Sequence, residues 1–307
     1  MKTVGRFAPS PSGRMHLGNV FSAMMAWLSV RSAGGEMVLR IEDLDPDRCR
    51  PEYAEQLKRD LAWLGLDWDR EQTPQSRRTE AYRAQFARLE AMGLVYPCYC
   101  TRSELHAASA PHASDGNVIY AGTCRALTPA ERAEKTRRPA WRLRVPDRDT
   151  AFRDGVQGVY RENLAHDCGD FIIRRSDGVY AYQLAVVTDD AEAGVTQIVR
   201  GQDLLSSTPR QLYLQELLGL PAPDYYHVPL LTAPDGRRLS KREKSLDLGA
   251  LQITHTPEQL IGTLAFLAGL QPEPAPAAPS TLVSGFLWKN VRSDNVVIHS
   301  EFRCNIS

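Results

Sequence analysis

The chain predicts an α/β protein built on a doubly wound parallel sheet. Three observations carry that expectation. An apolar strand-like segment at 3–8, a Pro/Ser/Gly-rich loop, a helical segment at 18–31 and a second apolar segment at 37–41 make the opening half of a nucleotide-binding fold. Strand-like and helical segments return after residue 170, with no internal repeat between. At 307 residues the chain can bury a substantial core and form two or three structural units.

Taken in order, 3–8 reads as a strand that ends at Pro9. The helix at 18–31 spaces Met24, Trp27 and Leu28 for burial, and Gly34-Gly35 suits its C-terminus. Amphipathic helices are expected at 51–64 and 79–92, each closed by a glycine, Gly65 and Gly93. The character changes at Cys98, where a short-period stretch rich in Ala, Arg and turn residues reads as an insertion to about residue 167. Residues 171–174 and 180–187 each predict a strand or buried helix, 196–200 a strand and 208–218 a helix. The stretch 228–232 leads into a turn at Pro234-Asp235-Gly236. A helix is expected at 257–267, and the Pro/Ala stretch 272–279 reads as a linker or extended segment. The expected units are a first catalytic half at 1–97, the insertion at 98–167, a second half at 168–244 and a short helical C-terminal region at 245–307.

Charged residues make up 24% and hydrophobic residues 43% of the chain, the balance of a globular enzyme. Acids and bases number 37 each, so RNA contact must rest on local patches such as Arg137, Arg138, Arg142 and Arg144, or Arg237, Arg238, Lys241 and Arg242. No signal peptide precedes the first strand, and no apolar run reaches membrane-spanning length. Of the six cysteines, Cys98, Cys100 and Cys124 fall within 27 residues, which suits a metal site in a reducing, cytoplasmic compartment better than a disulfide framework. Cys49, Cys168 and Cys304 lack ligand spacing.

Two stretches carry the chemistry. Pro9-Ser10-Pro11-Ser12-Gly13 leads into His16-Leu17-Gly18-Asn19 at a helix start, and Arg238-Leu239-Ser240-Lys241-Arg242 lies in a polar loop. His16 can donate to phosphate oxygens, and Gly18, without a Cβ, admits a close backbone approach. Lys241 can place charge on departing phosphates, with Ser240 as a neighbouring donor. A lone His-x-Gly-Asn occurs by chance; the two stretches together do not read that way. They resemble the His-x-Gly-His/Asn and Lys-Met-Ser-Lys-Ser signatures of class I aminoacyl-tRNA synthetases. The resemblance implies a Rossmann-like domain that binds ATP, with Mg²⁺, through His16, Gly18, Asn19, Ser240 and Lys241. In such activation a carboxylate attacks the α-phosphate as pyrophosphate leaves, and catalysis is mainly positioning and charge stabilisation.

The segments Arg6 to Gly13, Arg40-Ile41-Glu42-Asp43-Leu44-Asp45 and Ile198 to Leu204 narrow the resemblance to glutamyl-tRNA synthetase catalytic domains, over roughly residues 1–245. It implies a glutamate pocket of Arg6, Ala8, Ser10, Glu42, Tyr182 and Arg200. Arginines would answer the substrate carboxylates and Glu42 its ammonium. The competing reading makes Arg6 and Glu42 a structural ion pair. The chain departs from the pattern at Val186, where glutamyl enzymes carry asparagine four residues after the matched tyrosine.

A second departure concerns size. After Lys241 only 66 residues follow, too few for the long helical anticodon-binding domains of glutamyl enzymes. The chain more closely resembles the truncated paralogue family, the glutamyl-Q tRNA(Asp) synthetases. That implies glutamate activation without tRNA and transfer to the queuosine base at the wobble position of tRNA(Asp). The anticodon stem-loop would dock on the catalytic face of a monomer. The alternatives are a compact glutamyl-tRNA synthetase charging a 3′ end, or a catalytically inactive synthetase-like zinc protein that binds RNA. Intact His16, Gly18, Ser240, Lys241, Arg6 and Glu42 speak against the last.

Cys98, Cys100 and Cys124 with one further ligand suit tetrahedral Zn²⁺ in a closed structural site. The resemblance implies Tyr120 as the fourth ligand, while His106 and His112 in the intervening loop compete. Three unligated thiols are the other reading. The His-x-Glu and Cys-x-x-Cys of a deaminase-type catalytic zinc are not in the sequence.

Overall fold

A computed structural model describes residues 2–101, 104, 119–237 and 246–298. Strand β1 (Val4–Phe7) leads through the proline-rich loop into helix α1 (Leu17–Ser32) and strand β2 (Glu36–Arg40). Helix α1 is apolar on almost every side. Leu17, Val20, Met24, Met25 and Leu28 are all fully buried, as befits the central helix of a layered core. Gly34 turns the chain out of α1 at φ 60°, a left-handed conformation that favours glycine. Helix α2 (Pro51–Trp63) starts on proline, which supplies no hydrogen-bond donor and loses none there. Strand β3 (Arg70–Gln72), helix α3 (Thr79–Ala91) and strand β4 (Val95–Cys98) complete the first half.

Next come α4 (Pro129–Ala133), β5 (Ala140–Leu143), the hairpin β6 (Asp149–Asp154) and β7 (Gly158–Asn163), α5 (Leu164–Asp167) and β8 (Phe171–Arg174). Strands β4, β5 and β8 form an antiparallel sheet, so the sheet draws strands from both sides of the 98–167 stretch. The arginine run expected to face RNA is partly internal. Arg142 is buried, donates to the Asp170 carbonyl at 2.6 Å and lies 3.7 Å from the centre of the Tyr120 ring.

Helix α6 (Tyr182–Glu192), strand β9 (Gln197–Gly201), helix α7 (Thr208–Leu218) and strands β10 (Asp224–Val228) and β11 (Leu231–Thr232) follow. The 180–187 stretch is thus a buried helix. Val186 packs in a second apolar cluster with Tyr82, Phe86, Leu184 and Leu214. The five-stranded sheet runs β10-β9-β1-β2-β3, all parallel. Strand order reverses between β1 and β9, and the crevice outside their carboxyl ends is where such sheets take ligands. Strand β10 was not expected. The 228–232 stretch, read as the approach to the turn, holds the end of β10 and all of β11.

The C-terminal region contains α8 (Leu248–Thr254), α9 (Pro257–Ala268), α10 (Pro279–Leu282) and β12 (Val296–Val297). Leu260, Ile261, Leu264 and Phe286 join the core around α1, and β12 pairs in parallel with β11. The Pro/Ala stretch is extended but held: the Ala277 N–H donates to the Glu258 carbonyl at 2.9 Å, and Gln271 Nε2 bridges the carbonyls of Gly262 and Ala275. A Cβ on Gly262 would sit 1.9 Å from the Ala275 oxygen, so only glycine admits the crossing. Trp288 stacks on Tyr226 with ring centres 4.3 Å apart and donates to Ser29 Oγ at 3.2 Å. Among the described residues, no helix is long and apolar enough to cross a membrane.

Candidate active site at the carboxyl ends of the sheet

His16 caps α1. Its Nδ1 accepts the Gly18 N–H at 3.1 Å, while Asn19 Oδ1 accepts the His16 N–H at 3.1 Å. With Nδ1 an acceptor, the neutral ring carries its proton on Nε2, the donor form a phosphate oxygen requires. A Cβ on Gly18 would lie 3.1 Å from the imidazole, so glycine here first makes room for the histidine. Leu248 N–H donates to the Met15 carbonyl at 2.9 Å, and Arg14 reaches Gln252 Oε1 at 2.6 Å and buried Asp60 at 3.5 Å. The start of α8 is therefore anchored to the His16 loop. Ser240 and Lys241 lie outside the described residues, as do Arg238, Arg242, His106, His112 and Cys304.

One cavity of about 510 Å³ brings together Arg6, Ala8, Ser10, Glu42, Tyr182 and Arg200. His16, Gly18 and Asn19 line the same cavity. Arg6 and Glu42 do not pair directly. Glu42 accepts from Arg40 Nη2 at 3.1 Å, and Arg6 Nε lies 3.5 Å from Asp190 while its Nη1 donates to the Val199 carbonyl at 3.3 Å. Arg6 Nε is buried without a hydrogen-bond partner. Arg40, fully buried, also binds Asp190 at 2.7 Å, and Asp189 is held by Arg78 Nε at 2.6 Å, Gln75 at 2.7 Å and Tyr82. Burial pushes the Glu42 carboxyl above the usual range, against the pull of Arg40 and Arg6. Burial likewise raises the Tyr182 phenol, against Arg200.

Arg200 is 4% exposed, and each of its guanidinium bonds ends on a neutral acceptor. Nε donates to His227 Nε2 at 2.9 Å, Nη1 to Gln211 Oε1 at 2.9 Å and Nη2 to Thr208 Oγ1 at 2.8 Å. A buried cation so held has its position fixed and its charge unmatched by these partners. Sequence reasoning did not select Arg40, Asp190, His227 or Asp154. His227 gave no sequence signal: Asp-Tyr-Tyr-His-Val shows no apolar alternation, and only the folded strand turns the imidazole inward.

The Sγ atoms of Cys98, Cys100 and Cys124 lie within 4.8 Å of one another, with Cys100 and Cys124 3.6 Å apart. Tyr120 Oη is 3.5 Å from Cys98 Sγ and accepts the Cys124 N–H at 2.7 Å. Tetrahedral zinc with Zn–S of ~2.3 Å sets sulfurs about 3.8 Å apart, so the three thiols fit a metal ion. Cys98, Cys100 and Cys124 form no disulfide with one another.

A twofold-wound parallel sheet with a His-x-Gly-Asn helix start and this cavity defines a class I synthetase catalytic unit. The family "tRNA synthetases class I (E and Q), catalytic domain" matches residues 2–275. The chain is 53% identical over 294 residues to a glutamyl-Q tRNA(Asp) synthetase of Nitratidesulfovibrio vulgaris, covering 91% of this chain and 90% of that protein. It is 48% identical over 312 residues to the protein of that name from Symbiobacterium thermophilum, covering 97% and 96%. Among solved structures it is similar to a glutamate tRNA ligase of Elizabethkingia meningosepticum in complex with its amino acid. That match is 26% identical with a TM-score of 0.80, covering 98% of this chain and 68% of the other. The chain belongs to the class I tRNA synthetase (E and Q) catalytic-domain family, on its glutamyl-Q tRNA(Asp) synthetase branch.

Proposed function

We infer that this chain is a ligase that activates glutamate with ATP, without tRNA, and transfers it to the queuosine base at the wobble position of tRNA(Asp). The observation that carries the amino acid is Arg200, a buried cation on neutral partners facing a cavity it shares with Arg6 and Glu42. Two guanidiniums suit the two carboxylates of glutamate, and Glu42 suits its ammonium. Ala8, Ser10 and Tyr182 complete that pocket. The acceptor rests on relatives 53% and 48% identical over nine tenths or more of both chains, whose name specifies it.

ATP would be held by His16, Gly18, Asn19, Ser240 and Lys241, with Mg²⁺ on its phosphates. The glutamate carboxylate attacks the α-phosphorus and pyrophosphate leaves, with Lys241 answering the charge on the leaving group. A ring hydroxyl of queuosine then attacks the activated carbonyl and AMP leaves. A structural zinc would be held by Cys98, Cys100, Cys124 and Tyr120. This reading makes the protein a cytoplasmic monomer that takes the anticodon stem-loop at the catalytic face. It divides the chain into catalytic halves at 1–97 and 168–244, an insertion at 98–167 and a C-terminal region at 245–307. The test supplies labelled glutamate, ATP and queuosine-containing tRNA(Asp), then digests the RNA. Label should remain with the modified nucleoside; label on the 3′ terminal adenosine would favour a compact glutamyl-tRNA synthetase instead.

A further inference from the structure

Behind Arg200, on the side away from the cavity, stands a buried pair that the activation chemistry does not use. His227 is fully buried in β10, and Asp154, 3% exposed, ends strand β6 of the hairpin. Asp154 Oδ2 and His227 Nδ1 are 2.6 Å apart. The other oxygen, Oδ1, accepts the backbone N–H groups of Val156 and Gln157 at 2.9 Å and that of His227 at 3.1 Å. The Thr208 hydroxyl, which accepts from Arg200, lies 3.3 Å from His227 Nε2.

Donor and acceptor roles along this line leave one arrangement. Arginine can only donate, so the Nε2 atom facing Arg200 Nε must accept. A neutral imidazole that accepts at Nε2 carries its proton on Nδ1, which therefore donates to Asp154. Asp154 must then be an ionised acceptor at both oxygens. Thr208 Oγ1 accepts from Arg200 Nη2 and lies 3.3 Å from the same Nε2, whose single lone pair is taken by Arg200 Nε. The line fixes which face of the guanidinium is spent on the protein and which is left to the substrate.

We propose that Asp154 and His227 are positioning residues that hold Arg200 in register for a substrate carboxylate and so set selection of glutamate over glutamine. The proposal rests on the assignment of Arg200 to the glutamate pocket. It makes the hairpin turn at 154–157 part of amino-acid recognition, although that turn never reaches the cavity.

The discriminating variant is Asp154→Asn. Its carboxamide oxygen is claimed by the three backbone N–H groups, so its NH₂ faces Nδ1 and drives the imidazole proton to Nε2, against Arg200 Nε–H. In pyrophosphate exchange, D154N should raise KM for glutamate at least tenfold, leave KM for ATP within twofold, and narrow the preference for glutamate over glutamine by a similar factor. His227→Gln, whose amide oxygen can accept from Arg200 and whose NH₂ can donate to Asp154, should stay within about threefold of the parent. Nitrogen-15 spectra of histidine-labelled protein, with the His227 signals identified by their loss in H227Q, should show Nδ1 protonated in the parent protein and Nε2 protonated in D154N. A folded D154N with unchanged glutamate KM overturns the proposal, as does a parent His227 protonated on Nε2; the second measurement holds even if D154N does not fold. Arg200→Lys separates the two layers. If R200K leaves glutamate KM unchanged, the pocket assignment itself fails; if R200K raises it and D154N does not, only the positioning role fails.

Discussion

Glu42 shows how a single carboxyl can tie recognition to pH. Burial raises its proton affinity, and Arg40 at 3.1 Å opposes that without cancelling it. If Glu42 answers the substrate ammonium, protonation removes the contact. The glutamate KM should therefore rise on the acid side, starting at a pH above that at which an exposed glutamate titrates. A raised native-state proton affinity means this group adds stability as pH falls and loses it as pH rises. Acid loss of binding from Glu42 is thus separable from unfolding. At neutral pH, Glu42→Gln should weaken glutamate binding by roughly tenfold to a hundredfold, the ~1.5–3 kcal/mol of a charge-assisted hydrogen bond, and flatten the acid limb. A limb that persists in E42Q would assign it to another group.

Elements bounded by local chemistry were readable from sequence, and those built by distant contacts were not. Helices α1, α2 and α3 announce themselves through apolar spacing, proline starts and closing glycines, so 18–31, 51–64 and 79–92 lie within a residue or two of the structure. Strand β10 escaped because Asp-Tyr-Tyr-His-Val carries polar groups at inward positions, and its burial depends on pairing with β9. The same distance hid Asp154 from His227, 73 residues away. Arg6, Glu42 and Arg200 were legible only through family resemblance; no spacing rule joins three strand ends. The cysteine cluster is the reverse case, local spacing that the fold gathers around the end of β4. It should bind about one zinc per chain. Cys98→Ser should lose the metal and lower the melting temperature by several degrees while pyrophosphate exchange persists at lower temperature. Exchange abolished in a folded C98S protein would point to a metal acting on substrate.

At the scale of the molecule, the net charge of zero argues for RNA contact through a few local phosphates. A minihelix carrying the queuosine-modified anticodon stem-loop of tRNA(Asp) should be glutamylated nearly as well as the full tRNA, and the unmodified guanine loop should not. Binding should weaken as salt rises, since each phosphate neutralised releases counterions. A minihelix that fails while the intact tRNA succeeds would place essential contacts beyond the stem-loop. The C-terminal region has its own consequence for anyone who watches this protein in solution. Trp288 is one of five tryptophans, and its indole lies flat on Tyr226 with its N–H committed to Ser29 in α1. Peeling that segment from the core would expose the indole to water and break the stack at once. Its share of the emission of the five tryptophans, isolated by difference against Trp288→Phe, therefore serves as an optical gauge of the C-terminal closure, readable without a label.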